Sequence, residues 1–196
     1  MNINIEMKSN KIIPWLLRIV AAILFFGTVL FCLIQWGGDG LFLPSWIQWT
    51  EADQQVMIDG ETVHMRLSKR TLSFEDPSGT RLWKSEKGWK VSQVWISDID
   101  HDGMDEVVFL VWKRGSFGDH RPFWIEETDD AWSQHIFIYD WDKERPDRLK
   151  PVWMSSALGI QAAQVSINDE NHLLIVTPEG RETAWYWDSW GLVRLY

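Results

Sequence analysis

Asp98, Asp100, Asp102 and Glu106 occupy the first, third, fifth and ninth places of the run Asp98-Ile99-Asp100-His101-Asp102-Gly103-Met104-Asp105-Glu106. Alternating acids in a tight loop can wrap oxygens around one hard cation. Calcium takes roughly 6–8 oxygen ligands at about 2.3–2.6 Å, which this run can supply. Asp98, Asp100 and Asp102 would give carboxylate oxygens, Met104 its backbone carbonyl, and Glu106 a closing carboxylate. Gly103 allows the left-handed turn that a side chain resists. The competing reading is an acidic turn whose aspartates only accept backbone N–H groups.

The flanks decide which kind of loop this is. Residues 91–96, VSQVWI, are β-branched and aromatic, and residues 107–112, VVFLVW, form a continuous apolar run. Both predict strands, the second buried on both faces. A helix–loop–helix calcium hand needs helical flanks and a Glu at its twelfth place, where this chain has Phe109. The unit is strand, cation loop, strand. The stretch "VWISDIDHDGMDEVVFL" resembles an FG-GAP or VCBS repeat, the calcium-loop blade of integrin-α-like β-propellers. Its pattern D-x-[DN]-x-D-G-x-x-[DE]-hydrophobic falls on Asp98, Asp100, Asp102, Gly103, Glu106 and Val107. The resemblance implies calcium as cofactor and a propeller-like fold.

A duplication is expected around that unit. Residues 71–112 and 135–178 each read as an alternating strand, a polar turn, a strand near Trp83 or Trp153, a third strand, and an apolar fourth. Such a unit makes one four-stranded antiparallel sheet, the make-up of a propeller blade. The second copy carries only Asn168-Asp169-Glu170-Asn171, a plain turn, so one metal site is expected. Hairpins at 54–67, around Asp59-Gly60, and at 183–196 remain, and they would pair into a third sheet built from both ends. Three blades fall short of the usual four or more, so the alternatives are a small propeller-like or sandwich-like assembly, a partial propeller completed by a partner, or an oligomer. Of the fifteen tryptophans, Trp83, Trp95, Trp112, Trp141 and Trp153 fall in strands and are assigned to the core. Trp185 and Trp187 share a strand face that must be covered.

Lys8, Lys11 and Arg18 precede an uncharged run at 19–36, with Trp15 and Trp36 where interfacial aromatics belong. Residues 12–36 are therefore expected to form one transmembrane anchor, with 1–11 cytoplasmic, 37–50 a linker and 51–196 an extracytoplasmic ectodomain at the cell surface. A cleaved signal peptide is the alternative, but Leu33-Ile34-Gln35-Trp36 offers no small-residue cleavage site. Cys32, the single cysteine, lies in this segment, so no disulfide supports the rest. The chain carries −9 formally, and residues 37–196 carry −11 once Lys8, Lys11, Arg18 and Glu6 are set aside. That balance argues against nucleic acid as a partner.

Residues 113–134, KRGSFGDHRPFWIEETDDAWSQ, break the strand pattern and are long for a connection. Phe117, His120, Arg121, Phe123, Trp124 and Trp132 mix aromatic plates with polar groups, as a glycan, surface-polymer or peptide ligand would require. The plainer reading has Phe123 and Trp124 stapling the loop to the domain. No histidine pair has metalloprotease spacing, and neither Ser116 nor Ser133 sits in a nucleophile elbow. No catalytic residue is assigned, and an enzyme is not expected. The stretches "FGDHRPFW", "SQHIFIY", "PVWMSSALG" and "DSWGLVRL" are similar to regions of bacterial poly-γ-glutamate (CapA-type) surface-polymer proteins, which implies at most a role beside polymer metabolism. The expectation is an all-β domain of four-stranded propeller-like blades behind one N-terminal helix, serving in calcium-dependent binding or scaffolding.

Overall fold

The computed structural model describes residues 12–36, 42–118, 121–126 and 129–196, with helix side chains over 15–29. It divides into two units, Met1–Leu41 and Phe42–Tyr196. The first holds one helix, α1 (Ile12–Trp36). Among the described residues no helix is long and apolar enough to cross a membrane. Arg18 lies within the stretch 15–29 whose side chains are described, and a charge inside a span is costly. The expected single-pass anchor, with its cytoplasmic N-terminus and extracytoplasmic domain, is corrected on that finding. Residues 1–11, called the cytoplasmic tail, and the linker's first part, 37–41, lie outside the described residues.

The second unit is all β: three four-stranded antiparallel sheets, each of consecutive strands. The first contains β1 (Ala52–Ile58), β2 (Glu61–Ser68), β3 (Thr71–Glu75) and β4 (Arg81–Lys84). The second contains β5 (Lys90–Ser97), β6 (Glu106–Arg114), β7 (Trp132–Trp141) and β8 (Leu149–Met154). The third contains β9 (Gln164–Ile167), β10 (Leu173–Val176), β11 (Glu182–Asp188) and β12 (Gly191–Arg194).

Strand membership differs from the expected division. The stretches 71–112 and 135–178 each straddle two sheets, and the terminal hairpins do not share one. Two connections explain the offset. Lys69 and Arg70 both take positive φ (49° and 68°), so β2 turns straight back into β3 through a two-residue hairpin without Asn or Gly. The long 113–134 segment joins β6 to β7 within one sheet, where Glu106–Arg114 pairs with Trp132–Asp140 residue by residue.

The second sheet is the middle layer of the core. Side chains of a strand alternate between faces. Val107, Phe109 and Val111 of β6 pack with Ile58, Leu67, Leu72 and Phe74 of the first sheet. Val108 and Leu110 pack with Val165, Leu173 and Ile175 of the third. This is the expected doubly buried run, and it explains why β6 reads as unbroken apolar sequence. Phe109 lies within 5.3–6.1 Å, centroid to centroid, of Trp83, Trp89, Phe137 and Tyr139. Trp112 and Trp141 are buried, while Trp83, Trp95 and Trp153 are half-buried against the two cores. Trp185 and Trp187 are covered together on the third sheet's inner face. The expected linker is partly packed: Ile47 is buried, Trp46 meets Trp112 edge-on, and Arg70 stacks over Trp49.

Candidate metal centre

The acidic run forms the turn between β5 and β6, the first two strands of the middle sheet. Val107 to Val111 anchor one end in both cores, so Glu106, at the start of β6, is fixed and only 1% exposed. His101 and Gly103 take left-handed backbone (φ 64° and 91°), which folds the loop back on itself. Asp98, Asp100 and Asp102 each accept a backbone N–H group inside the loop. Asp98 Oδ2 accepts from Gly103 at 3.2 Å, Asp100 Oδ1 from Asp102 at 3.1 Å, and Asp102 Oδ1 from Met104 at 2.8 Å. Glu106 Oε2 accepts the Ile99 N–H at 2.8 Å. Asp59, in the β1–β2 turn, braces the loop by accepting the Asp105 N–H at 2.9 Å.

Those bonds do not use all the oxygens. Asp98 Oδ1 is buried with no hydrogen-bond partner among the described residues. Ligand oxygens of Asp98, Asp100 and Glu106 lie within 4.8 Å of one another. Two oxygens each about 2.4 Å from one calcium ion can be at most about 4.8 Å apart, a condition the three oxygens meet pair by pair. Asp102 is exposed, and its carboxylate stands outside that trio of side chains. Three of the four expected carboxylates are thus brought together.

The electrostatics are unfavourable without a cation. Burial above all, with the charges of Asp100 and Asp102 adding, pushes Glu106 up to about 8. Burial also raises Asp100, with Asp102, Asp98 and Asp140 contributing repulsion. Glu106 and Asp140 stand directly opposite across β6 and β7, a pairing that becomes like-charged when Glu106 ionises. Asp140 has a counter-ion in Lys150 at 3.2 Å, whereas no ion pair reaches Glu106 among the described residues.

The 113–134 segment is placed differently. Phe117 and Arg121 line a cavity of about 200 Å³ with Lys113, Arg114, Asp129 and Asp130. Asp129 is held low by hydrogen bonds from Ser116, whose N–H and hydroxyl both reach its Oδ2 at 2.6 Å. Trp132 is half-buried, with the Arg114 guanidinium 4.7 Å over its ring. Phe123 and Trp124 are 93% and 69% exposed and meet only edge to face, so they do not staple the loop to the domain. His120 lies outside the described residues.

Two anchors of this segment escaped sequence reasoning. His135 is fully buried, its Nδ1 2.9 Å from the Ser155 carbonyl and its Nε2 3.1 Å from that of Gly115. Burial holds it below the ordinary histidine range. Gly118 lies against β8 so closely that a Cβ there would sit 2.2 Å from the Met154 carbonyl oxygen. An isolated His or Gly in a polar segment carries no signal of either contact. No protein-family model, curated protein or solved structure matches this chain.

Proposed function

We propose that the chain is a calcium-binding β module whose loop 98–106 clamps one cation, and that it serves in binding or scaffolding. Two observations carry this reading: Asp98 Oδ1 is buried without a partner, and one oxygen each of Asp98, Asp100 and Glu106 converge within 4.8 Å. Buried polar atoms without partners are rare in native proteins and call for an unseen ion or water. A divalent cation supplies that partner, offsets the charges of Asp100 and Asp102 beside Glu106, and lets Glu106 ionise in place. We further read the three sheets as propeller-like blades, which the resemblance of residues 94–110 to FG-GAP repeats suggests. The ligand-facing surface is assigned to the 113–134 segment, because the calcium loop and this segment flank the same strand, β6.

Calorimetric titration of calcium into the full chain tests the reading. The expected result is one saturable site with a dissociation constant of about 10⁻⁵–10⁻³ M. Replacing Asp98 by Asn should weaken it at least tenfold. No saturable binding in the unsubstituted chain would remove the proposal.

A further inference from the structure

A second candidate site lies away from the acidic loop. Between the second and third sheets is a cavity of about 180 Å³. Ile136, Trp153, Leu158, Ile160 and Trp185 give it apolar walls, and Arg194 brings the single charge to its lining. The walls belong to packed elements: Trp153 and Trp185 are half-buried members of the core between these sheets. Arg194 pairs with Trp185 across β11 and β12, on the face that looks into the cavity. It is exposed, so it stands at the mouth.

Size and chemistry restrict the occupant. A dry apolar cavity of about 150 Å³ is enough to hold benzene, whereas drug-sized ligands fill about 300 Å³ or more. The space here suits one six-membered ring. Arg194 donates its Nε–H to the Tyr196 backbone oxygen at 2.7 Å. Among the described residues no Asp or Glu side chain pairs with it. Its Nη groups therefore remain for an anion, and a guanidinium fork matches a carboxylate. Gly159 also lines the cavity, and a Cβ built there meets nothing within 4 Å.

We propose that this cavity binds a small single-ring aromatic carboxylate. The ring packs between Trp153 and Trp185, and the carboxylate pairs with Arg194. The site is independent of the calcium reading, because no residue of 98–106 lines it.

Ligand-observed NMR titrations of the full chain with benzoate and with benzyl alcohol test the proposal. Benzoate should saturate in the millimolar range or below, equally with calcium and with chelator. Arg194→Gln, at an exposed position, should weaken benzoate at least tenfold and leave benzyl alcohol unchanged. Gly159→Leu should weaken both at least tenfold by filling the space. Non-saturable binding of benzoate, or equal benzoate affinity in Arg194→Gln, would overturn the proposal. Should Gly159→Leu fail to fold, the arginine variant decides alone.

Discussion

Replacing Glu106 by Gln separates the cost of its buried charge from the benefit of its ligation. The sign follows from burial. Glu106 titrates near 8 in the folded chain without metal, against an ordinary 4.5. The folded state therefore holds a proton that the unfolded state releases. Glu106's contribution to stability is full below about pH 4.5 and is lost as pH rises through about 8. At about 1.36 kcal/mol per unit, the whole loss is about 5 kcal/mol, as an order of magnitude. His135 works the other way. Burial lowers it, so its neutral form favours folding above its unfolded value of about 6.5, and that contribution fades as pH falls further. The clean window is thus about pH 6.5–9, where Glu106 alone should cost about 2 kcal/mol of stability. For a domain of this size that is roughly 4–8 °C in Tm. Thermal melts in chelator across the window should show the fall in the unsubstituted chain and almost none in Glu106→Gln. With millimolar calcium the unsubstituted chain should recover stability toward pH 9, while Glu106→Gln should gain little. A flat profile for the unsubstituted chain in chelator would refute the claim that Glu106 is buried without a compensating cation.

Phe109→Ala should cost about 3–5 kcal/mol in chemical denaturation, because the ring is fully buried among four aromatics in the first core. Gly118→Ala should cost about 1–3 kcal/mol, since its Cβ would overlap the Met154 carbonyl, and proteolysis of the 113–134 segment should accelerate. Glu61→Gln should cost about 1–3 kcal/mol by the same assay. It weakens the Arg148 pair at 3.2 Å and alters the acceptor of the Trp141 indole N–H at 2.9 Å, both of which tie the first sheet to the second.

Local chemistry was legible in the sequence and long-range assignment was not. The apolar run at 107–112 marked β6 as doubly buried, and the loop before it announced itself by acid spacing and Gly103. Asp59-Gly60 marked the first hairpin. The next hairpin was hidden, because Lys69-Arg70 reaches the left-handed region without the residues that advertise it. With that turn missed, every later sheet boundary moved by two strands, although the number of strands per sheet came out right. Length misled at 113–134: the segment is a hairpin connection whose register is fixed by β6 and β7, not a divider between sheets. Within the loop, the run of acids did not tell which side chains converge. Asp98, Asp100 and Glu106 do so around left-handed turns at His101 and Gly103, while the Asp102 carboxylate stays outside the group. The brace from Asp59 joins residues far apart in the chain and leaves no local trace. The N-terminal segment shows the limit of hydropathy alone: its apolar composition suggested a membrane span that the described helix does not meet.

The most direct test of the calcium centre is the Tm of the full chain near pH 8, with about 5 mM calcium against chelator, for the unsubstituted protein and for Asp98→Asn. A ligand that binds only the folded state raises stability by about 2.7 kcal/mol at a hundredfold excess over its dissociation constant, and by less for a weaker site. The expected result is a rise of several degrees in the unsubstituted chain that Asp98→Asn abolishes. An unchanged midpoint in the unsubstituted chain, or an equal rise in both proteins, would contradict a calcium site at residues 98–106.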